Sequence, residues 1–93
     1  MNTLFTAMNS PLPHNAPLDI RRVLGEMFGV PAESLKDEDS PETIPAWDSF
    51  QTLIMFQEVE RAAGISFTLD DIKRVRTVGD LKKILRAYQV PLL

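Results

Sequence analysis

The sequence predicts an all-α fold, a four-helix bundle with a long loop between helices 1 and 2 and a short third helix. Three observations predict it. Apolar residues recur at spacings of three and four in several segments, the period of one helix face. Capping residues Asp48, Thr68 and Thr77 stand ahead of such segments, each followed three residues on by Gln51, Asp71 or Asp80. No stretch alternates apolar and polar residues for long enough to build a sheet.

The elements follow in order. Residues 1–16 contain two prolines, three asparagines and no apolar period. They read as a flexible leader with Leu4-Phe5 as its one apolar pair. The folded domain then covers residues 17–89, with 90–93 as a short tail. The first helix is predicted from about Pro17 to Phe28, with Asn15 as its cap, Pro17 in its first turn and Gly29 past its end. Ile20, Val23, Leu24, Met27 and Phe28 form one apolar face. Gly25 lies inside this helix, where glycine costs about 1 kcal/mol relative to alanine.

Val30 to Trp47 cannot be one helix, because Pro31, Pro41 and Pro45 interrupt it. Residues 31–35 are expected to make one short turn. Leu35, Ile44 and Trp47 are expected to anchor this connection on the helices, since ordered loops of such length are uncommon without anchors. The second helix runs from Ser49 to Ala63 and closes at Gly64. Its inward face is read as Thr52, Phe56, Val59 and Ala63, flanked by Leu53 and Met55. Thr68 starts a short third helix that ends near Val75. Thr77 starts the last, which sends Val78, Leu81, Ile84, Leu85 and Tyr88 to the core.

Composition removes several classes of function. With 93 residues and no cysteine, this is one small domain without a disulfide framework, a thiolate metal site or a thiol nucleophile. The single histidine, His14, lies in the leader, so no serine–histidine hydrolase or histidine metal cluster is built from it. No apolar run approaches the roughly 20 residues of a membrane span. The first residues lack the basic start of a signal peptide. A cytoplasmic monomer with no membrane insertion is the expectation.

Charge is segregated along the chain. Six acids face one base between Glu33 and Asp48, whereas seven bases face three acids after Glu60. A helix-turn-helix reading rests on the basic stretch from Lys73 to Arg86. Against it, Lys82, Lys83 and Arg86 lie opposite the core face of their helix, and the net charge is −3. No nucleic-acid partner is expected.

The run Ile44-Pro45-Ala46-Trp47-Asp48-Ser49-Phe50 carries the chemistry. Asp48 is a favourable N-cap, paired with Gln51 in a capping-box-like arrangement. That puts the Ser49 hydroxyl on the first turn of a helix, outside the core. There, free backbone amides and the helix dipole favour a phosphate.

Trp47-Asp48-Ser49-Phe50, the helix behind it, Gly64-Ile65 at its end and Thr77-Val78-Gly79-Asp80-Leu81 together resemble an acyl carrier protein. The serine opens the second helix, Gly64 closes it fifteen residues later, and Thr77 follows thirteen residues after that. The resemblance spans Leu18 to Tyr88, about three quarters of the chain. It implies a bundle of the acyl-carrier type, with Ser49 esterified by 4′-phosphopantetheine from coenzyme A. A separate magnesium-dependent phosphopantetheinyl transferase would make that bond. The arm's thiol would hold an acyl group as a thioester, so the reactive sulfur belongs to the cofactor. Asp48 would cap the helix beside the site, and no catalytic residue is implied. The apolar seam of Phe56, Val59, Phe67, Ile84 and Leu85 would serve as core and as shelter for an acyl chain.

The partners implied are the transferase and acyl-loading and acyl-processing enzymes such as a ligase, an acyltransferase or a ketosynthase. Trp47, Phe50, Ile54, Gln57 and Arg61 are the expected docking residues. Fatty-acid carriers usually have acids on this face, whereas Ile54 here stands where an acid is common, and Lys73, Arg74 and Arg76 make the third helix basic. A specialised polyketide, lipid or nonribosomal pathway fits these departures. The alternatives are a peptidyl or aminoacyl carrier, and a carrier-like interaction subunit that is never pantetheinylated.

Overall fold

The computed structural model describes residues 17–93. The leader with Leu4-Phe5 and His14, and the Asn15 cap, lie outside the described residues. Among the described residues, four α-helices carry the fold: α1 (Ile20–Phe28), α2 (Ser49–Ala63), α3 (Leu69–Arg74) and α4 (Val78–Ala87). One 3-10 turn, Ala32–Ser34, follows α1 where residues 31–35 were expected to turn. Among the described residues there is no strand, only an isolated parallel bridge from Leu18 to Leu92.

That bridge moves the start of α1. The helix begins at Ile20 and not at Pro17, because Asp19 caps it by accepting the Arg22 amide at 3.2 Å. The residue ahead of the cap is committed elsewhere. The Leu18 amide donates to the Pro91 carbonyl at 2.8 Å, and the Leu93 amide donates to the Leu18 carbonyl at 2.9 Å. Residues 90–93 are thereby joined to the start of the bundle, and Val90 and Leu92 pack against the core.

Three helices end in the same way. Beyond α1, α2 and α4, the residues Gly29, Gly64 and Gln89 adopt left-handed backbone, with φ of 70°, 71° and 64°. The next amide, of Val30, Ile65 or Val90, then donates back to a carbonyl five residues earlier. Each of those three apolar residues packs against the core, which completes a Schellman-type stop with its hydrophobic contact. Gly25 has a separate reason to be glycine. A Cβ there would lie 2.7 Å from the Val30 carbonyl oxygen and 3.3 Å from the Ala32 backbone. The reversal after α1 passes directly over it.

The core gathers Ile20, Leu24 and Phe28 from α1, Met55, Phe56 and Val59 from α2, and Val78, Leu81 and Leu85 from α4. Burying side chains of this kind contributes about 1.5–3 kcal/mol each. Leu35, Ile44 and Trp47 join them, so the long loop is anchored where expected. Its other attachment is to the start of α4. The Val78 amide donates to the Asp39 carbonyl at 3.0 Å, and the Gly79 amide to the Asp37 carbonyl at 2.8 Å. Lys82 Nζ reaches the Asp37 carboxylate at 2.7 Å, and that contact lowers the Asp37 pKa. Asp39 is lowered as well, first by the Lys36 amide and then by the Thr43 hydroxyl.

Two core assignments are corrected. Leu53 stands in solvent at 60% exposure, on the far side of α2 from Met55 and Val59. Each residue turns a helix by about 100°, so a position at the edge of an apolar stripe can fall on either side. Tyr88 is 37% exposed and its ring contacts Phe67 edge-on, with centroids 6.2 Å apart. Phe67 in turn meets Phe56 at 5.2 Å, so the aromatic chain runs from core to surface. Glu60 fixes this turn by accepting the Phe67 amide at 2.7 Å.

Candidate functional site

Ser49 is the first residue of α2 and is exposed. The local sequence explains why. Asp48 sits in extended backbone, with φ −96° and ψ −175°, and its Oδ1 accepts the Gln51 amide at 2.8 Å. Its carbonyl takes the Thr52 amide at 2.9 Å and the Thr52 hydroxyl at 2.8 Å. The amides of Ser49 and Phe50 therefore precede the first bond of the helical ladder. Fifteen residues of α2 stand behind them with their dipoles aligned. Unlike Thr68 and Thr77, which form reciprocal capping boxes with Asp71 and Asp80, Asp48 makes its cap from one side.

Trp47 holds this end of α2 in place from beneath. It is 2% exposed and stacks on Phe28, with ring centroids 5.4 Å apart and planes at 21°. Its indole N–H has no partner among the described residues, which costs about 1–3 kcal/mol. Burying an indole of about 150–250 Å² outweighs that loss at roughly 25 cal/mol per Å². Trp47 is thus removed from the docking residues: the ring that fixes the position of Ser49 has no surface to offer a partner.

The other docking residues divide. Phe50 is 68% exposed, and Gln57 and Arg61 are exposed on the same side of the helix. Ile54 is half-buried on the flank of that face. Leu53, assigned inward from its spacing, stands one turn from Ser49 on the exposed side. Arg61 forms an ion pair with Glu58 within α2.

No protein-family model matches the chain, and no curated protein is significantly similar to it.

What can be read is therefore the chemistry of the site. A primary hydroxyl stands at the positive end of a helix, on a rigid element, with no histidine among residues 17–93 to act as its base. Among the described residues, no group of three or more His, Cys, Asp or Glu is placed to hold a metal ion. None of the helices there is long and apolar enough to cross a membrane. Ser49 is accessible to a reagent or an enzyme, and its surroundings suit a product that carries negative charge.

Proposed function

We propose that this chain is an acyl carrier protein that bears 4′-phosphopantetheine on Ser49. One observation carries the reading: Ser49 is exposed at the first position of a fifteen-residue helix whose cap, Asp48, leaves the hydroxyl free. The residues around it fit a phosphodiester. The early amides of α2 and the helix dipole favour the anion, and the Asp48 carboxylate is turned onto the Gln51 amide. Trp47, Ile44 and Leu35 anchor the loop ahead of the serine, so the attachment point is rigid.

In the attachment step, Ser49 Oγ forms a bond to the pantetheine phosphate of coenzyme A. The pyrophosphate P–O bond breaks, adenosine bisphosphate leaves, and the hydroxyl proton passes to a base supplied by the transferase. When bound, the arm supplies the thiol that holds an acyl group as a thioester. The chain itself anchors and orients, and partner enzymes act on the cargo. The near-absence of charge on the first half of α2 supports service in a specialised polyketide, lipid or nonribosomal pathway.

Intact-mass measurement after incubation with coenzyme A, magnesium and a broad-specificity phosphopantetheinyl transferase tests the proposal. The expected result is one phosphopantetheine per chain, lost in Ser49→Ala. No mass increase in the unaltered chain overturns it.

A further inference from the structure

Asp39 is half-buried in the long loop, and each of its three oxygens accepts from a different partner. Its carbonyl takes the Val78 amide of α4 at 3.0 Å. Oδ2 takes the Lys36 amide at 2.8 Å, and Oδ1 takes the Thr43 hydroxyl at 3.0 Å. That hydroxyl in turn accepts the Ser40 amide at 2.9 Å. The Ser40 carbonyl accepts the amides of Thr43 and Ile44, both at 2.9 Å, and the Ile44 carbonyl accepts the Trp47 amide at 3.0 Å. Asp48 and Ser49 come next in the chain. A continuous run of hydrogen bonds thus leads from the first turn of α4 to the start of α2.

This run gives the loop its direction. Among the described residues, the backbone of residues 36–47 is hydrogen-bonded to another helix only at α4, through Asp39 to Val78 and Asp37 to Gly79. Gly79 allows that approach, because a Cβ there would lie 3.2 Å from the Asp37 carbonyl oxygen. Leu35, Ile44 and Trp47 are held instead by burial. Burial is non-directional, so it fixes how deep the loop sits and leaves its lateral placement to hydrogen bonds. Pro41 and Pro45 have no amide to add to them. Transfer to Ser49 Oγ depends on that placement. Reacting atoms must meet at about 3–3.5 Å, and a misplacement of about 1 Å can cost about a hundredfold in rate.

Building on the assignment of Ser49 as the pantetheine anchor, we infer that Asp39 is a positioning residue for the attachment step, with Thr43 as its relay. It ties the loop to the first turn of α4 and thereby sets where Ser49 Oγ stands. The chemistry stays with the transferase.

The full chain is modified in single turnovers with excess broad-specificity transferase and saturating coenzyme A. The maximal rate is read, together with the transferase concentration that gives half of it. Asp39→Ala and Thr43→Val are each expected to lower the maximal rate about tenfold and to move half-saturation less than about twofold, because α2 presents an unchanged face. The double variant is no slower than the slower single one, since both substitutions cut the same run. Thr43→Ser keeps the hydroxyl and the parental rate. Tyr88→Phe, which loosens the bundle at α3, also keeps that rate. Helical circular dichroism with a cooperative urea transition identifies the folded variants.

Folded variants with the parental rate, a loss confined to half-saturation, additive losses in the double variant, or a slow Thr43→Ser each overturn the inference while leaving Ser49 assigned. An equal loss in Tyr88→Phe, or unfolding of both Asp39→Ala and Thr43→Val, overturns it in favour of a purely structural role. A parent chain that is never modified overturns the Ser49 assignment and this inference with it.

Discussion

The phenolic hydroxyl of Tyr88 donates a hydrogen bond to the carboxylate of Asp71, tying the residue that follows α4 to the first turn of α3. The tie matters because α3 has six residues and none of them is buried. Asp71 also accepts the Thr68 amide at 3.0 Å as half of the capping box. One carboxylate thus starts the short helix and fastens it to the bundle.

Both partners are shifted, in opposite directions. The Tyr88 hydroxyl, followed by the Thr68 amide, lowers the Asp71 pKa from its ordinary 3.8. Asp71 raises the Tyr88 pKa from its ordinary 10.0, chiefly through the same hydrogen bond. The stability from Asp71 is therefore present above its ordinary value and lost as pH falls through the lowered one. That from Tyr88 is complete below 10.0 and lost as pH rises through the raised value.

Tyr88 is the single tyrosine, so ultraviolet absorbance reads its ionisation directly. The midpoint is expected above 10.0, moving back toward it in Asp71→Asn. Urea unfolding across pH is expected to lose its alkaline limb in Tyr88→Phe. The acid limb survives in part, because Asp37 and Asp39 are also lowered by their own partners. An unchanged tyrosine midpoint in Asp71→Asn would refute the tie.

Gly25→Ala is expected to destabilise the protein, although helix propensity alone predicts a gain of about 1 kcal/mol. The added methyl meets the Val30 carbonyl oxygen at 2.7 Å, and that atom is backbone, fixed by its position in the turn after α1. Relieving such a contact requires the turn to move, and overpacking of this kind typically costs 1–3 kcal/mol, or about that range here. Chemical unfolding of the two chains decides between propensity and packing. A more stable Gly25→Ala would mean that the turn yields easily.

Much of the framework was legible because its signals are local. Asp48, Thr68 and Thr77 cap the helices they precede, and Gly64 ends α2, through bonds that span no more than five residues. The loop anchors Leu35, Ile44 and Trp47 were also legible, as apolar residues in a polar stretch. What spacing could not decide is rotation and distant pairing. Leu53 and Ile54 sit on opposite flanks of one helix face, and α2 turns on its axis according to what Met55, Phe56 and Val59 pack against. The start of α1 depends on Leu18 pairing with residues more than seventy positions away, which no local pattern records. At the site, Ser49 and Asp48 were readable from capping chemistry, whereas the burial of Trp47 depends on Phe28 across the bundle.

Trp47→Ala is expected to cost about 3–5 kcal/mol, a large part of what holds a small domain together. The indole stacks on Phe28 and is the last anchor before Ser49, so its loss loosens the start of α2 as well as the core. Trp47 is the single tryptophan, which makes its fluorescence a local probe. Emission is expected to be that of a buried indole, protected from iodide and red-shifted on unfolding. Adding a transferase is expected to leave it unchanged, because Trp47 has no surface to be covered. Ready quenching in the folded chain would contradict its burial.

Gln89→Gly is expected to stabilise the protein. Gln89 is the only described non-glycine residue with positive φ, 64°, and it occupies the position that Gly29 and Gly64 fill after α1 and α2. Its amide donates to the Arg86 carbonyl at 2.8 Å, and the Val90 amide to the Leu85 carbonyl at 3.0 Å, so the reversal is fully bonded. The left-handed conformation costs an L-residue about 1–2 kcal/mol that glycine avoids. Against this, glycine widens the unfolded ensemble by about 0.5–1 kcal/mol. The net gain is about 0.5–1 kcal/mol. Urea midpoints of the two chains at constant m-value measure it, and a lower midpoint for Gln89→Gly would show that the glutamine side chain contributes more here than its backbone strain costs.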